Sequence, residues 1–320
     1  MKRFVLIANR QSDIEFQYAD FSSAEGLGAA YFDYTKTRIG ILKLIKALGL
    51  RDREINYRLY FKRLFNKTID RKLRRGDEDE YVFIVMARVY EKYGQYLLKH
   101  LRSLYPSCKL VLYIVDLLCN MSFSLDEVRP QFDVICSFDK GEAENNDMRF
   151  LLEPFSTKRL DEIHISDEPQ LDVSFVGASK GRYDRIMHLF DDLTAKGLKC
   201  DFYIAGIDEK DQKSAEGLHY SWLSFERVLE HAASSRCIVE IMQPGGYSAT
   251  TRYAEAMLLG KKLITDCPAL RHSGQKRIIC LDENVDITPE MIRAKETADI
   301  DRYVGELSIE TFVNTIAAYL

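Results

Sequence analysis

One stretch of the chain, residues 237–266, constrains the fold more than any other. It reads CIVEIMQPGGYSATTRYAEAMLLGKKLITD. An apolar run at 237–242 predicts a buried strand, and the glycine pair that follows predicts a turn. Helical spacing of apolar residues over 249–259 and a second apolar run at 262–265 predict a helix and another strand. The stretch is therefore typical of an α/β domain.

The predicted helix begins among small and hydroxyl side chains. Ser248, Thr250 and Thr251 suit the N-cap of a helix, where a side-chain oxygen accepts from a backbone N–H. Gly245 and Gly246 lack side chains and let a ligand come close to the backbone. Since the free N–H groups of a helix N-terminus attract anions, this segment is a candidate phosphate site.

Arg252 and Glu255 follow on the same side of the predicted helix as Ser248. A cation and a carboxylate beside an anion-binding helix end suit the phosphates and the ribose of a nucleoside diphosphate. The alternative is an ordinary strand–turn–helix unit that binds nothing. Spacing alone does not separate the two interpretations.

The order of residues in this stretch resembles the donor-binding signature of GT-B glycosyltransferases. That signature has a glutamate, seven residues, a second glutamate, then Ala-Met-x-x-Gly and an apolar strand; from Glu255 this chain reads Glu-Ala-Met-Leu-Leu-Gly-Lys-Lys-Leu-Ile-Thr. The resemblance implies that Glu255 holds the ribose of a sugar nucleotide. Tyr247 occupies the position of the first glutamate, which leaves open how the donor sugar is held and whether its configuration is retained. The chain is more similar to bacterial polysaccharide-biosynthesis glycosyltransferases, in which a polar glycine turn replaces that glutamate.

A second candidate donor element is Phe175-Val-Gly-Ala-Ser-Lys-Gly-Arg, at the end of a predicted strand. Gly177 lets a phosphate approach the backbone, and Lys180, Arg182 or Arg185 supplies positive charge. The element resembles the strand–Gly…Lys-Gly segment of GT-B donor domains, whose lysine contacts the diphosphate. The alternative is a basic turn that precedes a helix.

Strands and helices alternate along the chain, which predicts doubly wound parallel sheets. Strands are predicted at residues 4–8, 81–87, 109–115, 133–137, 172–176, 201–205, 237–242 and 262–265. Helices are predicted at residues 35–48, 90–104, 182–196, 225–233, 249–259 and 309–320. Residues 24–34 are expected to form a loop.

The predicted fold class is α/β, with two Rossmann-like doubly wound parallel-sheet domains facing a cleft, the GT-B plan. The expected boundaries are an acceptor-side domain at 1–155, a linker at 156–171 and a donor-binding domain at 172–308. The resemblance implies that the C-terminal helix, 309–320, packs back on the N-terminal domain.

The first domain offers three carboxylates as a candidate general base. Asp116 closes a predicted strand, Glu25 lies in a glycine-bearing loop, and Asp139 follows another strand. Each has an alternative interpretation as a helix cap or a turn residue. The Asp-x-Asp matches at 77–79 and 299–301 read as solvated turns, so we expect metal-independent transfer without a cofactor, with Lys180, Arg182 and Arg252 as electrophilic groups.

Composition narrows the class of protein. A net charge of -4 argues against a dedicated nucleic-acid binder. The seven scattered cysteines lack a Cys-x-x-Cys pair and read as reduced thiols. No apolar run approaches the roughly twenty residues that cross a bilayer, so we expect a cytoplasmic protein.

Residues 51–75 form a basic amphipathic segment. One interpretation is that the segment binds anionic lipid at the inner face of the membrane, and the alternative is that its apolar stripe packs on a sheet.

The sequence thus predicts a hexosyltransferase-like enzyme that moves a sugar from a nucleotide-sugar donor to a glycan or lipid-linked acceptor in bacterial surface or exported polysaccharide synthesis. A catalytically inactive GT-B-like binding or scaffold protein is the alternative. A dinucleotide-dependent enzyme is disfavoured, because Gly26-Leu-Gly28 lacks the third glycine of that fingerprint and lies too far beyond the first strand. The nucleotide, the sugar, the acceptor and the oligomeric state stay open.

Overall fold

The structure, a computed structural model, describes residues 2–32, 80–165, 168–281, 285–297 and 299–320. Three predictions lie outside the described residues: the helix at 35–48, the basic segment at 51–75 and the Asp-x-Asp match at 77–79. By the density of internal contacts the chain divides into two compact units. The first unit is Met1–Ser156 with Ile309–Leu320, and the second unit is Thr157–Ser308.

The described strands and helices alternate along both units. The strands are β1 (Lys2–Asn9), β2 (Leu27–Phe32), β3 (Glu80–Met86), β4 (Lys109–Ile114), β5 (Val134–Ser137), β6 (Arg149–Phe150), β7 (Leu171–Ala178), β8 (Cys200–Ala205), β9 (Leu218–His219), β10 (Ser235–Glu240), β11 (Lys262–Thr265) and β12 (Ile278–Cys280). The α-helices are α1 (Ser12–Gln17), α2 (Ala87–Leu104), α3 (Leu125–Val128), α4 (Lys140–Asn145), α5 (Tyr183–Ala195), α6 (Phe225–Ala233), α7 (Thr251–Leu258), α8 (Pro289–Arg293), α9 (Ile300–Glu306) and α10 (Ile309–Tyr319).

The first unit is built on a parallel sheet with the strand order β2-β1-β3-β4-β5-β6. Its central strands are continuous apolar runs, and residues 81–86 of β3 are buried throughout. Such runs are typical of parallel strands that are covered on both faces. The predicted buried strands of this unit are confirmed.

Residues 27–32, inside the predicted loop at 24–34, form a strand instead. Leu27–Phe32 is strand β2, which pairs in parallel with β1. The run LGAAYF is apolar, and Ala29, Ala30 and Phe32 are buried. Gly26, with a φ of 74°, makes the turn before the strand. The glycines suggested a loop, but one of them only precedes the strand and Gly28 is paired within it.

The last helix, α10, belongs to the core of the first unit. The ring of Phe312 makes edge-on contacts with Tyr113 at 5.3 Å and with Tyr18 at 6.0 Å. Ile316 is fully buried in the same cluster, and the hydroxyl of Tyr319 donates to the carbonyl of Phe150 at 2.6 Å. The chain therefore completes its first unit with its final described segment.

The second unit has a parallel sheet with the strand order β12-β11-β10-β7-β8-β9. From β7 the chain adds β8 and β9 on one side, then returns to add β10, β11 and β12 on the other. The direction of winding therefore reverses between β7 and β10. In doubly wound sheets, ligands bind at the carboxyl ends of the strands beside such a switch point. The predicted fold class, two Rossmann-like parallel sheets, is confirmed.

Within the described residues, no helix is long and apolar enough to cross a membrane. The seven cysteines all lie in the described ranges, and none of them forms a disulfide.

Candidate anion-binding site of the second unit

The switch point of the second sheet is formed by the segments that follow β7, β10 and β11. Residues 179–182 lead from β7 into α5, residues 241–250 lead from β10 into α7, and Asp266 follows β11. All three segments leave the same edge of the sheet because the strands are parallel. The predicted donor residues therefore come together here.

The segment after β7 is a tight turn that ends at Arg182, the residue before α5. Lys180 and Gly181 have φ angles of 40° and 77° in succession, a conformation that glycine adopts most easily. A Cβ atom on Gly177 would lie 3.1 Å from the ring of Phe175 and 3.7 Å from Nη2 of Arg182. The bare backbone of Gly177 thus leaves room for the ring of Phe175. Lys180 is exposed at the tip of the turn.

Arg182 ties the two sides of the switch point together. Its Nη1 donates to the carbonyl of Ile241, just beyond β10, and its Nη2 donates to the carbonyl of Ala178 at 3.1 Å. Its Nε is buried and has no hydrogen-bond partner among the described residues. Burial lowers the pKa of Arg182, and the positive charges of Arg185 and Arg252 lower it further, whereas Glu240 opposes them. The positive charges of Arg185 and Arg252 thus both act on the guanidinium of Arg182.

Helix α7 begins where the sequence predicted. Thr250 is its N-cap, and the hydroxyl of Thr250 accepts from the backbone N–H of Arg252 at 3.3 Å. The glycine turn before it is closed by a hydrogen bond from the N–H of Gly246 to the carbonyl of Gln243 at 3.0 Å, with Gly245 at a φ of 88°. The predicted strand before this turn ends at Glu240, two residues earlier than expected.

Two other predicted residues of this segment are placed beside the helix start. Ser248 is 4% exposed, and Thr251 is the first residue of α7 and is half-buried. The exposed ring of Tyr247 lies in the same loop. Its carbonyl accepts from the backbone N–H of Ala269 at 3.2 Å. The backbone at Tyr247 is thereby fixed to the segment that follows β11.

Glu240, which the sequence analysis did not single out, is buried at the end of β10. Its Oε1 accepts from the backbone N–H of Thr250 at 2.8 Å and from the Thr250 hydroxyl at 2.7 Å. Its Oε2 accepts from the hydroxyl of Thr265 at 2.6 Å. Burial raises the pKa of Glu240, and these hydrogen bonds oppose the rise. A glutamate inside an apolar strand run was the available signal, because a buried carboxylate requires partners.

Glu255 lies on the buried side of α7. It is fully buried, and its Oε2 accepts a hydrogen bond from Nη1 of Arg252, whose side chain is 23% exposed. Its Oε1 has no hydrogen-bond partner among the described residues. Burial raises the pKa of Glu255, and the charge of Arg252 opposes the rise. In this conformation Arg252 is open to a ligand and Glu255 is not.

The third arginine is held by the carboxylate that follows β11. Arg185 forms an ion pair with Asp266, and its side chain is half exposed. Asp266 also accepts from the backbone N–H of Met242 at 2.7 Å. Each arginine of the site therefore has a carboxylate nearby. The site therefore combines the partly exposed guanidinium groups of Arg185 and Arg252 with buried carboxylates.

Of the three candidate bases in the first unit, Asp116 lies at the carboxyl end of the sheet. It follows β4, pairs with Nη2 of Arg88 at 3.0 Å and accepts from Nδ2 of Asn120 at 2.8 Å. Its side chain is 21% exposed. Asp116 is thus positioned by its neighbours and remains in reach of solvent.

The other two candidates are less suitable. Asp139 is fully buried and caps α4, because its carboxylate accepts from the backbone N–H of Glu142 at 2.9 Å. Glu25 lies in the turn before β2, at the amino end of the sheet, whereas ligands of α/β sheets bind at the carboxyl end. These positions favour the alternative interpretations, a helix cap for Asp139 and a turn residue for Glu25.

Asp299, from the second Asp-x-Asp match, caps helix α9 by accepting from the backbone N–H of Arg302 at 3.4 Å. Across the described ranges, no group of three or more histidine, cysteine or acidic residues is arranged to hold a metal ion.

No protein-family model matches the sequence, and no curated protein sequence matches it. Solved structures are similar to it over its whole length. A UDP-forming α,α-trehalose-phosphate synthase from Burkholderia xenovorans has a TM-score of 0.51 at 11% identity, with 100% of this chain and 98% of that chain covered. A structure of such a synthase from the same organism with glucose-6-phosphate has a TM-score of 0.50 at 10% identity, with 99% of each chain covered.

A trehalose-6-phosphate synthase analysed with bisubstrate glycomimetics gives a TM-score of 0.51 at 10% identity, with 99% of this chain and 98% of that chain covered. Identities this low establish similarity of fold alone. The fold is that of the GT-B glycosyltransferases, with two Rossmann-like domains.

Proposed function

We propose that the protein is a glycosyltransferase that transfers a sugar from a nucleotide-sugar donor, with the donor bound by the second unit and the acceptor by the first. One observation carries the proposal. Arg182, Arg185 and Arg252 all lie with the N-terminus of α7 at the switch point of the second sheet. This is the position at which a doubly wound sheet binds a phosphorylated ligand.

The diphosphate of the donor would lie at the N-terminus of α7 against Arg252, with the charge of Arg182 behind it. Arginine is suited to phosphate because its planar guanidinium donates two parallel hydrogen bonds. Lys180, exposed at its turn, adds a charge at the rim. A phosphate on Arg252 would compete with Glu255 for that guanidinium. Glu255 would then accept from a ribose hydroxyl, the kind of donor that its Oε1 lacks.

The reaction breaks the bond between the anomeric carbon and the diphosphate and forms one to an acceptor oxygen. Negative charge develops on the leaving diphosphate, and the same arginines and helix N–H groups stabilise it. We assign this task to the chain's own cations, so that transfer needs neither a metal nor a cofactor. Asp116 is the candidate for accepting the proton of the acceptor hydroxyl, as it alone of the three candidates is at the carboxyl end and partly exposed.

The acceptor in this proposal is a glycan or a lipid-linked saccharide of a bacterial surface or exported polysaccharide. The support is the resemblance of residues 237–266 to glycosyltransferases of that kind. Residues 51–75, which carry the basic amphipathic pattern, would bring a cytoplasmic enzyme to anionic lipid at the inner face of the membrane. Flotation with acidic liposomes tests this contact, and a chain that stays at the bottom of the gradient has none.

A protein that binds sugar nucleotides without catalysis is the second candidate. Tyr247 favours it, since its exposed ring stands where the GT-B signature has a glutamate. The loop before α7 therefore lacks a carboxylate at that position to hold the sugar.

Thermal-shift measurements with UDP, GDP, dTDP and CMP test donor binding, because a ligand that binds only the native state raises its melting temperature. UDP comes first because the similar synthases are described as UDP-forming. A shift with at least one nucleotide is expected, and no shift with any would contradict the proposal. Release of the nucleotide from a matching sugar nucleotide then separates an enzyme from the non-catalytic candidate.

A further inference from the structure

We propose that Glu240 is a positioning residue, which holds the N-terminus of α7 in the geometry that binds the diphosphate. The inference deepens the proposed function and rests on it. Glu240 is the last residue of β10 and is 2% exposed, so it does not reach a ligand itself. It would act through Thr250, the N-cap of α7.

The two oxygens of Glu240 connect three parts of the site. Oε1 accepts from both the N–H and the hydroxyl of Thr250, and Oε2 accepts from the hydroxyl of Thr265 in β11. The start of α7 is thereby fixed to the two strands beside it. An ionised carboxylate is the side chain that accepts at both oxygens, whereas an amide accepts at one and donates at the other.

The orientation of the Thr265 hydroxyl is fixed by its two hydrogen bonds. It is fully buried and also accepts from the backbone N–H of Cys267 at 2.9 Å, so its hydrogen is directed at Glu240. Asp266, the ion-pair partner of Arg185, lies between Thr265 and Cys267 in the chain. The position of the third arginine therefore depends on the same hydrogen bonds.

Charge and position make opposite predictions for Glu240. Its negative charge acts on the guanidinium groups of Arg182 and Arg252. If charge alone mattered, its removal would strengthen the binding of an anion. If Glu240 positions the helix start, the loss of its hydrogen bonds weakens the binding. The sign of the change therefore separates the two roles.

The substitution Glu240→Gln keeps the size of the side chain and breaks at least one of its hydrogen bonds. With inorganic pyrophosphate as the probe in titration calorimetry, we expect about tenfold weaker binding, the scale of one hydrogen bond to a charged group. Affinity equal to or tighter than that of the wild type would overturn the proposal.

Asp172→Asn is the matched control, because it changes another buried carboxylate, 8% exposed, at the opposite end of the same sheet. Asp172 accepts from Arg293 and from the N–H of Lys199. Its loss should leave pyrophosphate affinity within about twofold, a change well under the 1.4 kcal/mol of a tenfold effect. A loss equal to that of Glu240→Gln would mean general loosening of the unit and would overturn the positioning role.

Thr250 provides the test that does not depend on charge. Thr250→Val removes the cap hydroxyl, and Thr250→Ser keeps it, so we expect weaker binding in the first variant and near wild-type binding in the second. If Glu240 acts through Thr250, combining Glu240→Gln with Thr250→Val weakens binding no more than the larger single effect. Additive losses would overturn the proposal, as would a valine variant that binds like the serine variant.

The two proposals fail in different ways. A wild-type chain that binds neither pyrophosphate nor any nucleotide tested overturns the proposed function, and the role of Glu240 with it. A wild-type chain that binds, with Glu240→Gln binding equally well, overturns the role of Glu240 alone.

Discussion

The two ends of the second sheet both pair arginines with carboxylates, and the pairs differ in how completely they are bonded. At the amino end, Asp172 accepts from Nε of Arg293 at 3.0 Å and from its Nη2 at 2.8 Å. It also accepts from the N–H of Lys199 at 3.0 Å, and its Oδ1 lies 3.5 Å from Nε of Arg236. The hydrogen bonds of Arg293 hold the pKa of Asp172 below its usual range. Both carboxylate oxygens of Asp172 therefore accept hydrogen bonds from other residues of the unit.

At the carboxyl end, burial raises the pKa of Glu240 and of Glu255 instead. The buried polar atoms there include Oε1 of Glu255 and Nε of Arg182, which have no hydrogen-bond partner in the part of the chain that the structure describes. Buried polar atoms are nearly always paired in native proteins. The comparison therefore supports the proposal that the anion site lies at the carboxyl end.

Arg182→Gln should give the largest effect on binding. The substitution removes a charge beside the site and the hydrogen bonds that the guanidinium donates to the carbonyls of Ile241 and Ala178. A hydrogen bond to a charged group is typically worth about 1.5–3 kcal/mol, so UDP affinity should fall by about a hundredfold. Arg293→Gln, the matching change at the amino end, should leave UDP affinity unchanged. Calorimetry with both variants measures the contrast. Equal losses would remove the distinction between the two ends.

Glu255→Ala should weaken nucleotide binding by about tenfold or more, since a hydrogen bond to a charged group is typically worth about 1.5–3 kcal/mol. The variant would lose the hydrogen bond that Oε1 of Glu255 accepts from a ribose hydroxyl in the proposed complex. Calorimetry of the variant with the nucleotide found by thermal shift measures this. Unchanged affinity would show that Glu255 does not bind the ribose and only pairs with Arg252.

The dependence of stability on pH should have opposite signs at the two ends. Folding raises the pKa of Glu240 above its ordinary 4.5, so its contribution is present below pH 4.5 and is lost as pH rises through the folded value. Folding lowers the pKa of Asp172 from 3.8, so its contribution is present above pH 3.8 and is lost as pH falls through the folded value.

Urea unfolding of the two variants across pH tests these signs. The unfolding free energy of Glu240→Gln relative to the wild type should rise as pH increases above 4.5. The deficit of Asp172→Asn should shrink as pH falls below 3.8. Parallel trends in the two variants would show that both ends hold their carboxylates in the same way.

Lys180→Ala should give the smallest effect, about a threefold loss of UDP affinity, because exposed charges interact weakly through water. The loss should disappear as salt is added, since exposed charges are screened. Calorimetry at two ionic strengths measures it. A salt-independent loss would instead place the lysine in a direct contact with the phosphate.

The sequence pattern alone predicted the bounds of those helices and strands whose ends are set by their own residues. The observed bounds of α6 and β11 equal the predicted ones, because Ser224 caps the helix and a short apolar run defines the strand. The start of α7 was predicted from its hydroxyl residues for the same reason. Strand β2 was missed because its glycines outweighed a buried apolar run in the prediction.

The arrangement of the site could not be read from the sequence in the same way. Helical spacing showed that Arg252 and Glu255 share a side of α7, but it did not show which of them faces the interior. The role of Glu240 depends on Thr250 and Thr265, ten and twenty-five positions away in the chain. Such partners are brought together only by the folded sheet.

The position of α10 has a consequence for the order in which the chain folds during synthesis. The aromatic cluster of Phe312, Tyr18 and Tyr113 joins the earliest and latest described segments. Domains generally fold as units as the chain leaves the ribosome, the N-terminal one first. Here the second unit has all its residues outside the ribosome before the first unit does. The amino-terminal half must therefore wait, with part of its interior uncovered, for a helix that is made after the second unit.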